Sequence, residues 1–249
     1  MAESYPPPTP PMPPHPPGMQ PPGTLPPPPP GGVPPAAPLP WEQPGYPALE
    51  GLYETAKLVL TAPSQAFARI SLSGTLGRPL LYAVIFGWLG IIASQAYSLA
   101  FRGAIHNLLS GLPGYSPRLA LGFPVAATVG IMVLAPIFVL LGIFIWSAIV
   151  HLFLMLVGGA NTGFASTVRV VAYSSTVQIV QVIPLCGGTI AAVWALVLYI
   201  IGLAIVHRTT QGKSALAVLL PLALCCVCVA ILVAAFGAAI AAAIGHLAR

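Results

Sequence analysis

Gln95, His151, Arg169, Tyr173, Gln178 and Gln181 are polar side chains inside long apolar stretches, and each has a chemistry to account for. His151, Arg169 and Tyr173 together could bind an anionic lipid headgroup or a partner's carboxylate, because a cation at membrane depth needs a counter-charge or water. Plainer readings stand beside that one. His151 fits a neutral imidazole hydrogen-bonded to a neighbouring helix, and Arg169 fits a side chain that snorkels to water. Gln95, Gln178 and Gln181 carry the amides that would line a small-solute channel or uniporter.

Catalytic groups are scarce. The chain has no aspartate, which excludes an intramembrane aspartyl pair, and it has neither an HExxH zinc pair nor a GxSxG nucleophile. Ser147 and His151 stand four apart on one helix, without a carboxylate to orient the imidazole. Cys225 and Cys228 share a helix face, as a soft-metal site would require, but no histidine or methionine lies near them in sequence. Buried apolar thiols are the expectation for them, with no metal and no cofactor. The expected protein is not an enzyme.

The elements that position these residues follow from composition. The 249 residues are 57% hydrophobic and 5% charged, against about 25% charged in a soluble domain, so the chain cannot cover a water-facing surface. The four acids are Glu3, Glu42, Glu50 and Glu54, so no side-chain carboxylate follows residue 54. Arg169 must therefore find lipid, a ligand, water, or the distant Glu50 or Glu54. The formal charge of +5 is spread singly between apolar runs, where it sets topology and gives no nucleic-acid footprint. No basic region followed by an apolar one opens the chain, so no signal peptide is expected.

Residues 1–47 hold 22 of the 30 prolines and little to bury, which predicts a disordered, proline-rich cytoplasmic tail. Such a tail serves as a solvated spacer or as a ligand for a proline-recognising partner. Residues 48–78 then predict two short interfacial amphipathic helices, with Lys57 and Arg69 toward headgroups. Residues 79–249 predict five transmembrane helices, at about 79–101, 124–157 (kinked at Pro136), 165–184, 188–206 and 216–245. The fold class expected is an all-α integral membrane bundle of five transmembrane helices, preceded by the interfacial helices and the tail.

Six basic residues (Lys57, Arg69, Arg78, Arg169, Arg208 and Lys213) fall on one side of that arrangement. Arg102, Arg118 and Arg249 fall on the other, which favours a cytoplasmic N-terminus and an exoplasmic C-terminus, with the reversed topology as the alternative. In the third span Ser166, Arg169, Tyr173 and Thr176 share a stripe, and Ser174, Gln178 and Gln181 share the next one. Val168, Val171, Ala172, Ile179, Val182 and Ile183 fill the remaining arc, expected to face lipid, while the polar stripes face inward. Gly237, Ala241 and Gly245 recur every four residues in the last span, a spacing that lets two helix backbones approach closely.

The order of the short motifs resembles the Yip (Ypt/Rab-interacting protein) domain family, in its prokaryotic branch. These motifs are PWE at 40–42, LEG at 49–51, Pro63 with Phe67, RPLLYA at 78–83, and His151 with Gly158-Gly159 and Phe164. RVVAY at 169–173, Ile183-Pro184, Trp194, VHR at 206–208 and AVLLP at 217–221 complete the pattern. The resemblance covers residues 40–245. It implies five transmembrane helices, a cytoplasmic N-terminal segment, and non-enzymatic work in membrane organisation or trafficking. The setting would be the cell (inner) membrane, and the partners lipids and other membrane proteins. Relatives in eukaryotes are associated with Rab GTPases, but the DLYGP-type motif of that branch is absent here.

Overall fold

The computed structural model describes residues 37–112 and 125–247. The proline-rich residues 1–36, the segment with Arg118 and the terminal Arg249 lie outside the described residues, as do the surroundings of Ala241 and Gly245. Among the described residues every regular element is a helix.

A 3-10 turn at Pro40–Glu42 leads into α1 (Ala48–Thr61) and α2 (Pro63–Ala68). Pro63 separates these two, because it restricts the residue before it and is itself well placed to begin a helix. The long helices are α3 (Gly77–Leu109), α4 (Val125–Leu156), α6 (Gly187–Val206) and α7 (Gln211–Leu247). Between α4 and α6 lies α5 (Phe164–Ser174), which tightens into a 3-10 helix at Ser175–Val182. That tight turn ends where Ile183 goes extended (φ −78°, ψ 116°), as a residue before proline prefers.

Among the described residues four helices are long and apolar enough to cross a membrane: Gly77–Leu109, Ala127–Leu156, Gly187–Val206 and Gln211–Gly237. The 165–184 segment is not one of them as a single α-helix, because it divides into an α-helical and a 3-10 half and carries its polar residues along both. The first long helix also outruns its expected end near 101, passes Gly103 and continues to Leu109, ending before Ser110-Gly111.

Pro136 lies inside α4, where its missing N–H leaves the carbonyl of Met132 without its helical donor. Trp88 of α3 supplies one: its indole N–H donates to Met132 O at 2.9 Å. The proline is thus accommodated within a continuous helix, and the lost bond is replaced from a neighbour.

Contacts fix the helix directions. Tyr82 meets Thr176, Gly90 meets Gln178 and Tyr97 meets Val182, so α3 runs parallel to the 164–182 segment. His151 meets Thr167, while Thr167 meets His207 and Val170 meets Gly202, so α4 and α6 run antiparallel to it. The start of α3, the end of α4, the start of α5 and the end of α6 therefore share one end of the bundle.

The 164–174 helix is enclosed by α3, α4 and α6, and residues 166–174 are all buried. This corrects the expected lipid-facing arc: Val168, Val171 and Ala172 pack in a core with Ala83 and Ile143, and only Ile179, Val182 and Ile183 are exposed. The N-terminal helices are likewise part of the core. Leu39, Val59, Phe67, Tyr82, Tyr173, Leu198 and Leu203 belong to one buried cluster. Leu39, which falls within the expected tail 1–47, is accordingly part of the core.

Candidate functional site

The polar side chains of the shared end sort into two hydrogen-bonded networks. The first is centred on Glu42. The 3-10 turn that carries it is fixed from both sides: Trp41 N–H donates to Thr55 Oγ1 at 3.0 Å, and Trp41 Nε1 donates to Arg78 O at 2.8 Å. Arg78 returns the contact through Nη1, to Trp41 O at 2.8 Å and Gln43 O at 3.1 Å. So held, Glu42 accepts from Tyr173 Oη at 2.8 Å through one oxygen and from Ser71 N–H at 2.9 Å through the other. Tyr173 packs against Tyr82 with ring centroids 5.0 Å apart and the ring planes tilted by 58°, and Tyr82 Oη bonds Thr176 Oγ1 at 2.7 Å.

Arg169 belongs to this network. It is 2 % exposed, and its Nη2 donates to Gly74 O at 2.7 Å. Gly74 has φ +95°, a conformation that a side chain would strain. Arg169, Arg78, Glu42, Ser71, Ser73 and Thr75 line a polar pocket of about 190 Å³. The acid that shares this pocket with Arg169 is thus Glu42, and neither Glu50 nor Glu54, which the sequence offered. Both of these lie on α1, where Glu54 pairs with Lys57 at 3.8 Å.

The second network joins two histidines through a threonine. Thr167 Oγ1 lies 2.8 Å from His151 Nδ1 and 2.9 Å from His207 Nε2. On the far side of the His207 ring, Nδ1 is 3.3 Å from Thr162 N and 3.0 Å from Thr162 Oγ1. A backbone N–H only donates, so Nδ1 of His207 is an acceptor and Nε2 carries the proton toward Thr167. The hydroxyl of Thr167 is then free to donate to His151. Burial, aided by the nearby His151, pushes the His207 imidazole down to about 4, which keeps it neutral. Asn161 Nδ2 donates to His207 O at 2.9 Å and Lys213 Nζ to Gly158 O at 2.9 Å, closing the two loops over the network.

The expected trio of His151, Arg169 and Tyr173 is therefore divided: Arg169 and Tyr173 sit in the Glu42 network, and His151 sits with Thr167 and His207. Gln178 and Gln181 hydrogen-bond each other and line a separate cavity of about 320 Å³ with Ser175, Trp146 and Tyr199. Gln95 is not among its lining residues. The cysteines also depart from expectation. Cys186, Cys225, Cys226 and Cys228 are free and exposed, the last three because residues 223–237 of α7 have all their side chains on the surface of the chain. Among the described residues no group of three or more His, Cys, Asp or Glu comes close enough to hold a metal ion.

Sequence reasoning missed Glu42, Thr167, His207 and Arg78. Two signals were present: Glu42 is one of four acids in the chain, and both PWE and VHR stand among the motifs of the resemblance. No curated protein and no solved structure matches the chain. The Yip1 domain model matches residues 57–233, from the last turns of α1 into the exposed half of α7. With that match over most of its length and four helices of membrane-crossing length, the chain is a multi-pass membrane protein that belongs to the Yip1 domain family.

Proposed function

We propose that this protein is a non-enzymatic adaptor or organiser of membranes that works through protein and lipid contacts. The carrying observation is the Glu42 network. It fastens the segment leaving the proline-rich residues onto the helix that the rest of the bundle encloses. Such an anchor suits a chain whose proline-rich residues bind a partner while a membrane body holds the segment that follows them.

The 164–182 segment is the fifth crossing in this reading. Eleven residues at ~1.5 Å and eight at ~2.0 Å reach about 32 Å, the thickness of a hydrocarbon core. The shared end, with its basic residues, faces the cytoplasm, and α1 and α2 lie at that surface with Leu49 and Tyr53 outward.

Affinity capture of the full chain and of a chain beginning at residue 37 tests the adaptor reading. Tail-dependent partners should vanish from the shorter chain while body-dependent ones persist. Reconstitution into liposomes provides the competing outcome. Robust solute flux abolished by Gln178→Ala would make the 320 Å³ cavity part of a transport path and replace the adaptor reading. A cysteine at position 115 should be labelled from outside and one at position 211 should not, in a background without native cysteines.

A further inference from the structure

We propose that the pocket between the 71–76 loop, the start of α3 and Arg169 is a binding site for a phosphate group. Three observations carry it. Arg169 is a guanidinium buried to 2 % exposure that makes one hydrogen bond to the protein among the described residues, to Gly74 O. A guanidinium has five N–H donors, and a buried charge left so poorly satisfied is costly without an anion.

Glu42 does not neutralise it by contact. Both oxygens of Glu42 hold other donors, Tyr173 Oη and Ser71 N–H, and among the described residues no ion pair within 4.0 Å joins it to either arginine. Two arginines against one carboxylate leave the pocket with one positive charge in excess, the complement of a singly charged phosphodiester. Arginine forks also match phosphate oxygens in geometry.

The remaining wall is Pro79 and the hydroxyl residues Ser71, Ser73 and Thr75; Ser71 Oγ donates to Ser73 O at 3.0 Å, and the Ser73 and Thr75 hydroxyls add polar groups beside the arginines. The pocket's volume of about 190 Å³ is that of roughly six waters at ~30 Å³ each, enough for a phosphate with some of its hydration. Its depth fits as well. Arg78 immediately precedes the apolar run of α3, so the pocket lies at the level of lipid headgroups.

A lipid headgroup and a free phosphate share this chemistry, and the experiment separates them. The purified full chain is offered phosphatidylglycerol or diacylglycerol, and retained lipid is read by native mass spectrometry. In parallel, inorganic phosphate is compared with chloride for protection against heat. The phosphate-bearing lipid should be retained and diacylglycerol should not. Protection by inorganic phosphate without retention of phosphatidylglycerol would identify the free anion as the ligand.

Arg169→Gln should weaken binding about tenfold or more. Because that variant can also disturb the core, Thr75→Glu gives an independent reading. It places a carboxylate at an exposed rim position and should weaken binding to a similar degree. Glu42→Gln should strengthen binding several-fold by raising the excess charge, a gain that a purely structural role would not produce. Arg208→Gln, an exposed cation outside the pocket, should leave binding unchanged. The proposal is overturned if neither probe binds, if Thr75→Glu binds like the unaltered chain, or if Arg208→Gln loses as much as Arg169→Gln. The adaptor reading does not depend on it, since capture of partners by the tail is measured without either probe.

Discussion

Glu42 and Tyr173, 131 residues apart, meet through a 2.8 Å hydrogen bond from the phenol to the carboxylate. Glu42→Ala should cost about 1.5–3 kcal/mol, the range for a hydrogen bond to a charged group. Its effect should be local as well as global: amide exchange should quicken over residues 39–43 and at Ser71, which loses its acceptor. Tyr173→Phe should remove the same bond while leaving the one from Ser71, so the double variant should be little worse than Glu42→Ala alone. Additive losses in thermal unfolding would show that the two side chains act separately.

Trp88 and Pro136 form the second testable pair. Trp88→Phe removes the donor that Met132 O receives in place of the proline's missing N–H, and should cost about 0.5–1.5 kcal/mol plus lost packing. Pro136→Ala restores an N–H to that carbonyl. In the Pro136→Ala background, Trp88→Phe should therefore cost measurably less, and an equal cost in both backgrounds would show that the indole bond contributes nothing.

The His207 network predicts a pH dependence with a definite sign. The folded imidazole sits at about 4 against an ordinary value of 6.5, so the unfolded chain takes up a proton in that window which the folded one declines. Stability from this group is complete above about 6.5 and falls as pH drops toward 4, by up to roughly 3 kcal/mol in all. The groups facing His207 are His151, Thr167, Thr162 and Asn161, and none of them is a carboxylate to receive the proton. Melting in detergent should be lower at pH 5 than at pH 7.5, and His207→Gln should flatten that difference.

Gly202 tests the close approach of α6 to the buried helix. A Cβ there would lie 2.6 Å from Val170 Cγ1 and 3.0 Å from the Phe67 ring, so Gly202→Ala forces the core apart. Overpacking of this kind costs about 1–3 kcal/mol. Gly212→Ala, which meets nothing within 4 Å near the start of α7, should be neutral or slightly stabilising. A ranking of melting temperatures in the opposite order would contradict the packing described.

Much of the fold was legible because the bilayer leaves few choices. A chain with 5% charged residues and long apolar runs must form helices whose backbone groups are satisfied internally, and some of its prolines and glycines show where they stop, although Pro136 and Pro221 lie inside helices. Thus Ile183-Pro184 marks the end of the 3-10 segment, and Gly158, at φ +66°, marks the turn beyond α4. The inward role of Arg169, Tyr173 and Ser174 also followed from helical spacing, because polar groups in hydrocarbon need partners.

Partner identity was decided only by the tertiary structure. Periodicity within one helix gives the angle of a side chain, and says nothing of which distant segment fills the space it faces. For that reason His151 and Arg169 fall in different networks although the polar pattern groups them, and Val168 and Val171 are buried although helical spacing assigns them to a lipid-facing arc. The acid beside Arg169 came from the stretch whose prolines pointed to a tail. A single turn at Pro40–Glu42, tied through Trp41 to Thr55 and Arg78, carries that carboxylate to the head of the bundle. The sequence by itself determined a membrane protein with a polar inner helix. Long-range packing, which no local pattern encodes, determined that its arginine shares a pocket with Glu42 and its histidine a hydrogen-bond chain with His207.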